Sequence, residues 1–146
     1  MTKFSISILA MLCFLTACHN TNVRNNPNKQ QVILRQVVEN TMGAYTIAAE
    51  AMLPFIDGDI PGVTLTQKEK ELIQAASATV YSNLDVLNTA IQHNQPLSDI
   101  AVESAVVQLK MLNTCWFQLK DNSHRTAVCK AIVNTQPTSN VKQGVK

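Results

Sequence analysis

Aromatic residues are scarce in this sequence, which limits the kinds of ligand that its surface can hold. The 146 residues include one tryptophan, two tyrosines and four phenylalanines. Sites that grip the flat faces of sugars need several rings presented on one surface. Some of these few rings are needed for packing. The sequence therefore does not predict a carbohydrate-binding surface made of aromatic rings.

An excess of charge of one sign is also lacking. The chain has 12 basic and 10 acidic side chains, for a formal net charge of +2. Proteins that bind nucleic acid concentrate basic residues to neutralise phosphates. No such excess occurs here, and like charges form no blocks. Nucleic acid is therefore not an expected partner.

The residue types that usually carry catalysis are sparse. His93 and His124 stand beside Asn or Ser at helix ends predicted below, where a cation near a helix C-terminus or a solvated turn explains them. The segment Asp57-Gly58-Asp59 offers two carboxylates, fewer oxygen ligands than a calcium loop needs. No serine is flanked by the glycines of a nucleophile elbow. The sequence predicts no catalytic residue, no cofactor and no metal site.

No hydrophobic run is long enough to cross a bilayer as a helix. The apolar run from Phe4 to Leu15 has about a dozen residues, whereas a spanning helix needs about 18 or more. Lys3 precedes the run and small residues follow it, which is typical of a signal peptide. We therefore expect residues 1–17 to be a signal peptide that is removed. The remaining chain keeps 11 basic and 10 acidic side chains, because only Lys3 is lost.

The apolar run ends in the box Leu15-Thr16-Ala17-Cys18, which has an aliphatic residue, two small residues and a cysteine. This box resembles the one that marks bacterial lipoproteins, and the resemblance covers only the first 18 residues. It implies that Cys18 becomes the acylated first residue of the mature chain. Cys13 does not fit, because the bulky Leu12 precedes it. The alternatives are an ordinary secretory signal with an incidental cysteine, or an uncleaved anchor.

The resemblance also implies a location. Lipoproteins of this class carry several acyl chains, such as palmitate, on the N-terminal cysteine. Each buried methylene contributes about 0.8 kcal/mol, so more than one chain gives stable anchoring. The residue after Cys18 is His19, not the aspartate that marks inner-membrane retention in enteric bacteria. By that rule we expect a lipid anchor in the bacterial cell envelope, in the outer membrane and facing the periplasm.

Three segments of different character follow the signal peptide. Residues 18–29 contain five asparagines and one proline without periodicity, which predicts a lipidated N-terminus and a flexible linker. Residues 135–146 have no apolar face, which predicts a disordered tail. Residues 30–134 carry nearly all the large apolar side chains and have the length of a single domain.

The periodicity of the first half of this domain predicts two long helices. Apolar side chains recur at steps of three and four from Gln30 to Leu53, and Pro54 is expected to end this first helix. Thr66 and Glu69 form a capping box that starts the second helix, which runs to about Asn94. The side chains expected to be buried are Leu34, Val38, Thr41, Tyr45, Ala48 and Met52 in the first helix, and Ile73, Ala76, Val80, Leu84, Leu87 and Ile91 in the second.

Two further helices complete the domain. Ser98 is the expected N-cap of the third, with Leu97 and Val102 at the positions of a hydrophobic staple. After a break at residues 120–123, a short fourth helix is expected from His124 to about Val133. The fold class is therefore all-α, a small antiparallel bundle of three long helices and one short C-terminal helix after a flexible tether. The expected buried side chains are Val102, Val106, Leu109, Leu112, Trp116 and Leu119 in the third helix, and Val128, Ala131 and Ile132 in the fourth.

The cysteines that remain after signal removal, Cys115 and Cys129, lie seven residues on either side of position 122. If the chain reverses there as a helical hairpin, the two cysteines meet at the same height on facing helices. An oxidising periplasm then favours a disulfide that clamps the short last helix. The alternative is two unpaired cysteines in the core. Their spacing is not that of a CxxC redox motif, so a catalytic role is not indicated.

Three apolar side chains fall on the polar sides of their helices: Val32 and Ile47 on the first helix, and Tyr81 on the second. Scattered exposed apolar residues are ordinary in soluble proteins. The sharper hypothesis is that the first helix is apolar on more than one side because it meets a partner protein or a second copy. The sequence leaves a homo-oligomer open.

The expected function is that of a non-catalytic lipoprotein, a periplasmic scaffold or protein-interaction module that contacts an envelope protein. The alternative is an immunity or exclusion lipoprotein against a periplasmic toxin, phage or plasmid, to which the chain is similar in size and composition without a shared motif. Residues 65–112 also look loosely like small phage-encoded helical lipoproteins of unassigned role. A third hypothesis, an envelope enzyme or metal carrier, has no supporting constellation. Adjacent toxin or phage genes would favour the defence role.

Overall fold

A computed structural model describes residues 27–121 and 125–135, and it is all-α. The predicted signal peptide, most of the predicted linker and the tail from residue 136 lie outside the described residues. Chain contacts separate Met1–Gln30 from Gln31–Lys146, and the packing below is that of the second unit. Three long helices and one short C-terminal helix pack together as an antiparallel bundle, as predicted: α1 (Pro27–Asp57), α2 (Gln67–Gln92), α3 (Asp99–Lys120) and α4 (Ala127–Val133).

The first helix extends beyond both of its predicted ends. It begins at Pro27, three residues before Gln30. A proline fits in the first turn of a helix because the backbone N–H groups of that turn have no partner within the helix, so the missing N–H of proline costs no hydrogen bond. It also passes through Pro54, so the prediction that Pro54 ends the helix was wrong. A proline in the last turns removes one backbone hydrogen bond, the one to the carbonyl of Glu50, but its ring fixes φ near the helical value.

Gly58 closes α1 in place of the proline. Its φ of 88° lies in the left-handed region, and the amide of Asp59 donates to the carbonyl of Pro54 at 2.7 Å. This bond across six residues is that of a Schellman C-cap. The ring of Phe55 meets Trp116 edge to face, with centroids 4.4 Å apart, and this contact stabilises the turn that the proline weakens. Local sequence does not show such a tertiary contact.

The core is made by the faces that periodicity predicts. The six expected side chains of α1 are all buried or half-buried. In the other long helices two of the expected side chains, Ile91 and Val106, are only half-buried. Ala131 of α4 is exposed, contrary to prediction, because Cys129 and Ile132 define the buried side of that helix and Ala131 lies on the far side. The fully buried large side chains are Val38, Met52, Ile73, Val80, Leu84, Leu112, Leu119 and Ile132.

The start of α2 confirms the predicted capping box. The amide of Glu69 donates to the hydroxyl of Thr66 at 3.3 Å, and the amide of Thr66 donates to the Glu69 carboxylate at 2.8 Å. The hydroxyl of Thr66 also donates to that carboxylate at 2.8 Å. The helix ends at Gln92, and Asn94 beyond its C-cap has a left-handed φ of 54°, with the amide of Gln95 donating to the carbonyl of Ala90 at 2.8 Å. Both ends of α2 are therefore fixed by local hydrogen bonds.

The start of α3 is fixed differently. Ser98 occupies the predicted N-cap position with extended backbone, but its side chain makes no capping hydrogen bond. Leu97 and Val102, at the staple positions, are both buried in the core. Burial of this apolar pair therefore sets the entry of α3, and the hydroxyl of Ser98 does not. The short α4 begins at Ala127, later than the predicted start at His124, because Arg125 and Thr126 are not helical; His124 itself lies outside the described residues.

The two N-caps give a matched test of this difference. We expect Thr66→Ala to lower the free energy of unfolding by about 1–2 kcal/mol, because the variant loses both hydrogen bonds of the hydroxyl. Ser98→Ala removes a hydroxyl that caps nothing, and we expect a change of about 0.5 kcal/mol or less. Urea unfolding followed by circular dichroism measures both. Equal losses in the two variants would contradict this account.

Candidate functional site

The predicted disulfide is present and joins α3 to α4. The Cα atoms of Cys115 and Cys129 lie 5.1 Å apart, and both side chains are fully buried. In α4, which has only seven residues, Cys129 and Ile132 are the two buried side chains. A helix this short is marginal by itself. The disulfide therefore contributes much of the stability with which α4 packs against α2 and α3.

A hydrogen-bonded chain of polar side chains lies beside this link. The amide of Asn83 on α2 donates to the side-chain oxygen of Gln108 on α3 at 2.6 Å. The amide of Gln108 in turn donates to the hydroxyl of Thr135, just after α4, at 3.4 Å. That hydroxyl donates to the carbonyl of Ile132. Three helices are thus connected by one polar network in a largely apolar interior.

Sequence reasoning missed this network, although a signal was available. Asn83 follows Val80 by three residues, and Gln108 precedes Leu112 by four, so both amides share the spacing of the buried stripes. Each is less than 10% exposed, at 8% and 6%. A buried amide needs partners, because leaving one unpaired costs about 1–3 kcal/mol. The network contains only neutral amides and a hydroxyl, so it specifies packing and supplies no acid or base.

The titratable residues considered above do not come together. His93 lies exposed at the C-cap of α2. Asp57 and Asp59 are exposed on either side of the glycine that closes α1. His124 lies outside the described residues. Within residues 27–121 and 125–135, no group of three or more His, Cys, Asp or Glu side chains could hold a metal ion.

The three apolar side chains expected on the surface are exposed. Val32 is 65% exposed, Ile47 52% and Tyr81 48%. The ring of Tyr81 lies 5.7 Å from that of Tyr45 on α1, whose hydroxyl is 3.0 Å from the hydroxyl of Ser77. Tyr81 therefore lines the seam between α1 and α2. Val32 and Ile47 are 15 residues apart, about 22 Å along the helix axis, so they do not form one compact patch.

The expected lipidation site, Cys18, lies outside the described residues. In the part of the chain that the structure describes, no helix combines the length and apolarity that membrane crossing requires. Neither a family model, nor a curated protein, nor a solved structure matches this chain.

The disulfide generates a prediction about α4. We expect the double variant Cys115→Ala, Cys129→Ala to be less stable by about 3 kcal/mol, because the closed loop of about 15 residues no longer restricts the unfolded chain. Amide hydrogen exchange should accelerate in α4 before it does in α2. The control is a dithiol reductant, which should destabilise the natural protein and leave the double variant unchanged. Unaltered protection of α4 in the variant would disprove the clamp.

Proposed function

We propose that this chain is a membrane-anchored, non-catalytic bacterial lipoprotein that acts as a periplasmic scaffold or protein-interaction module. The observation that carries the proposal is the box Leu15-Thr16-Ala17-Cys18, directly after an apolar run of signal-peptide length. In lipoproteins a cysteine in such a box receives the acyl chains. In this proposal Cys18 is the anchor and the helical bundle is the part that binds a partner. The outer membrane is the expected location because His19, and not the aspartate of inner-membrane retention, follows Cys18.

The disulfide supports the exported location. Disulfides persist in oxidising compartments such as the periplasm and are rare in the cytosol. Of the four cysteines, Cys13 would leave with the signal peptide and Cys18 would carry lipid. The remaining two, Cys115 and Cys129, are the two that pair. The role proposed for each of the four cysteines is therefore consistent with export.

The outer surface of α1 supports the role in protein interaction. Ile47 is half exposed, and its neighbours on the helix surface include Gly43, Ala44 and Ala51 at three or four residues' distance. A Cβ at position 43 would meet nothing within 4 Å, so this surface is open. An isoleucine among such small side chains can be reached closely by a partner. We propose that an envelope protein contacts α1 around Ile47.

Fatty-acid labelling tests the anchor. In bacteria that process lipoproteins and are fed a labelled fatty acid, the protein should carry the label and fractionate with membranes. We expect Cys18→Ser to remove the label completely, because no thiol then accepts the acyl chain. The matched control is Cys13→Ser, which should leave labelling unchanged. Persistent label in the Cys18 variant, or recovery of the natural protein in the cytosol, would refute the proposal.

Crosslinking in intact cells tests the interaction surface. We expect Ile47→Asp to reduce the major envelope crosslink about tenfold or more, because a charge replaces an apolar contact in the interface. Val107→Asp on α3 is the control, since Val107 is similarly exposed at 46%. Both variants should keep the melting temperature of the natural protein. The idea fails if Ile47→Asp crosslinks like the control. A toxin or a phage component as the captured partner would assign the exclusion role instead.

A further inference from the structure

The most exposed apolar side chains of the described residues lie where α1 and α3 begin, although Leu53, at 54%, and Phe117, at 50%, are also exposed near the opposite end. The two most exposed large apolar side chains of the described residues are Ile100, at 79%, and Val32, at 65%. Ile33, next to Val32, is 44% exposed. Ile100 lies in the first turn of α3, and the other two lie in the N-terminal part of α1. We refer to these three residues as the apolar end of the bundle.

Hydrogen bonds between α1 and the loop before α3 bring these residues to one end. The side-chain amide of Gln31 donates to the carbonyl of Leu97 at 3.0 Å, and the amide of Leu97 donates to the side-chain oxygen of Gln31 at 2.7 Å. Arg35 donates to the side-chain oxygen of Asn94 at 3.3 Å. Leu97 itself is buried. Val32, Ile33 and Ile100 each lie within three residues of Gln31 or Leu97 in the sequence. They therefore belong to a part of the bundle that these hydrogen bonds hold together.

We propose that the apolar end rests on the lipid bilayer that carries the acyl chains of Cys18, an inference that depends on the proposed lipidation. Cys18 precedes Pro27, the first residue of α1, by nine residues, which span at most about 32 Å when fully extended. The opposite end of the bundle is farther by the length of α2, about 39 Å for its 26 residues. Tethering therefore gives the apolar end the highest effective concentration at the bilayer surface.

The charges at this end favour an apolar contact over an electrostatic one. Asp99 precedes Ile100 directly and Glu103 follows it by three residues, while Lys29 and Arg35 are the bases within one turn of Val32 and Ile33 on α1. This is not the basic cluster that anionic headgroups attract, so the contact should be insensitive to salt. A second copy that met this end symmetrically would bring its own acidic pair close to the first pair, which disfavours self-association there.

The contact orients the bundle and does not retain it at the membrane. Three aliphatic side chains offer far less apolar surface than the acyl chains, which hold the protein whatever its orientation. With the apolar end on the bilayer, α1 extends away from the membrane. Ile47 then lies at a height where an envelope protein can reach it. The lipid contact thereby complements the proposed interaction surface.

Photocrosslinking within α3 tests the orientation. The lipidated full chain, with a photoreactive amino acid in place of Ile100, is reconstituted into phosphatidylethanolamine vesicles with a minor fraction of phosphatidylglycerol. The matched control carries the same amino acid in place of Phe117, which is 50% exposed near the other end of α3. We expect about tenfold more lipid adduct at position 100, the ratio that burial of one aliphatic side chain provides. The adduct should fall in the same protein with Val32→Ser and Ile33→Ser.

The outcomes separate this inference from the function on which it rests. Mass analysis first establishes that the reconstituted protein carries fatty acid at Cys18, and its absence would refute the lipoprotein proposal together with this inference. In a protein that carries the fatty acid, equal lipid adducts at positions 100 and 117, or no adduct at 100, would overturn the inference alone. Chain-to-chain adducts at position 100 would replace the bilayer with a second copy and would also overturn it.

Discussion

A helix of seven residues with two buried side chains cannot hold its place on a bundle unaided, and the covalent link from Cys115 to Cys129 removes that difficulty. With α4 fixed, Ile132 fills the space between α2 and α3, and Thr135 comes within reach of Gln108. The position of α4 and the hydrogen bond from Gln108 to Thr135 are thus supported by one sulfur–sulfur bond. Oxidising compartments favour such a bond, which agrees with the proposed location.

Different contacts hold the long helices together at the two ends of the bundle. At one end, the mutual hydrogen bonds of Gln31 and Leu97 seal the start of α1 against the loop before α3. At the other end, the edge-to-face contact of Phe55 with Trp116 secures the last turn of α1, and Lys120 lies 5.8 Å from the centre of the Phe55 ring. The interior between the two ends is apolar apart from a few paired amides and hydroxyls. The two ends of the bundle are thus held by different contacts, mutual hydrogen bonds at one end and an aromatic pair at the other.

Local signals predicted much of this fold because their physics is local. A capping box is made by residues three apart, so Thr66 and Glu69 reveal the start of α2 without knowledge of any other helix. The buried stripe of α1, which includes Val38 and Met52, likewise follows from the spacing of apolar residues within that one helix. The prediction failed where the deciding contact comes from a distant part of the chain. Pro54 predicts the end of α1, but the helix continues past it, and Phe55 contacts Trp116, which lies more than 60 residues away in the sequence. The spacing of Gln108 agrees with burial, but only the packed helices bring it within hydrogen-bonding distance of Asn83 and Thr135.

The sequence by itself predicted the helical class and the pairing of the two late cysteines, because both follow from spacing along the chain, and the box at Cys18 is the basis of the location that we propose. Only the tertiary structure decided which apolar residues remain outside and where they gather. Exposure depends on which helices pack together, and that is a property of several segments at once. For this reason the sequence could mark Val32 and Ile47 as outward-facing and about 22 Å apart along α1, whereas only the packed bundle shows that Val32 shares an end with Ile100.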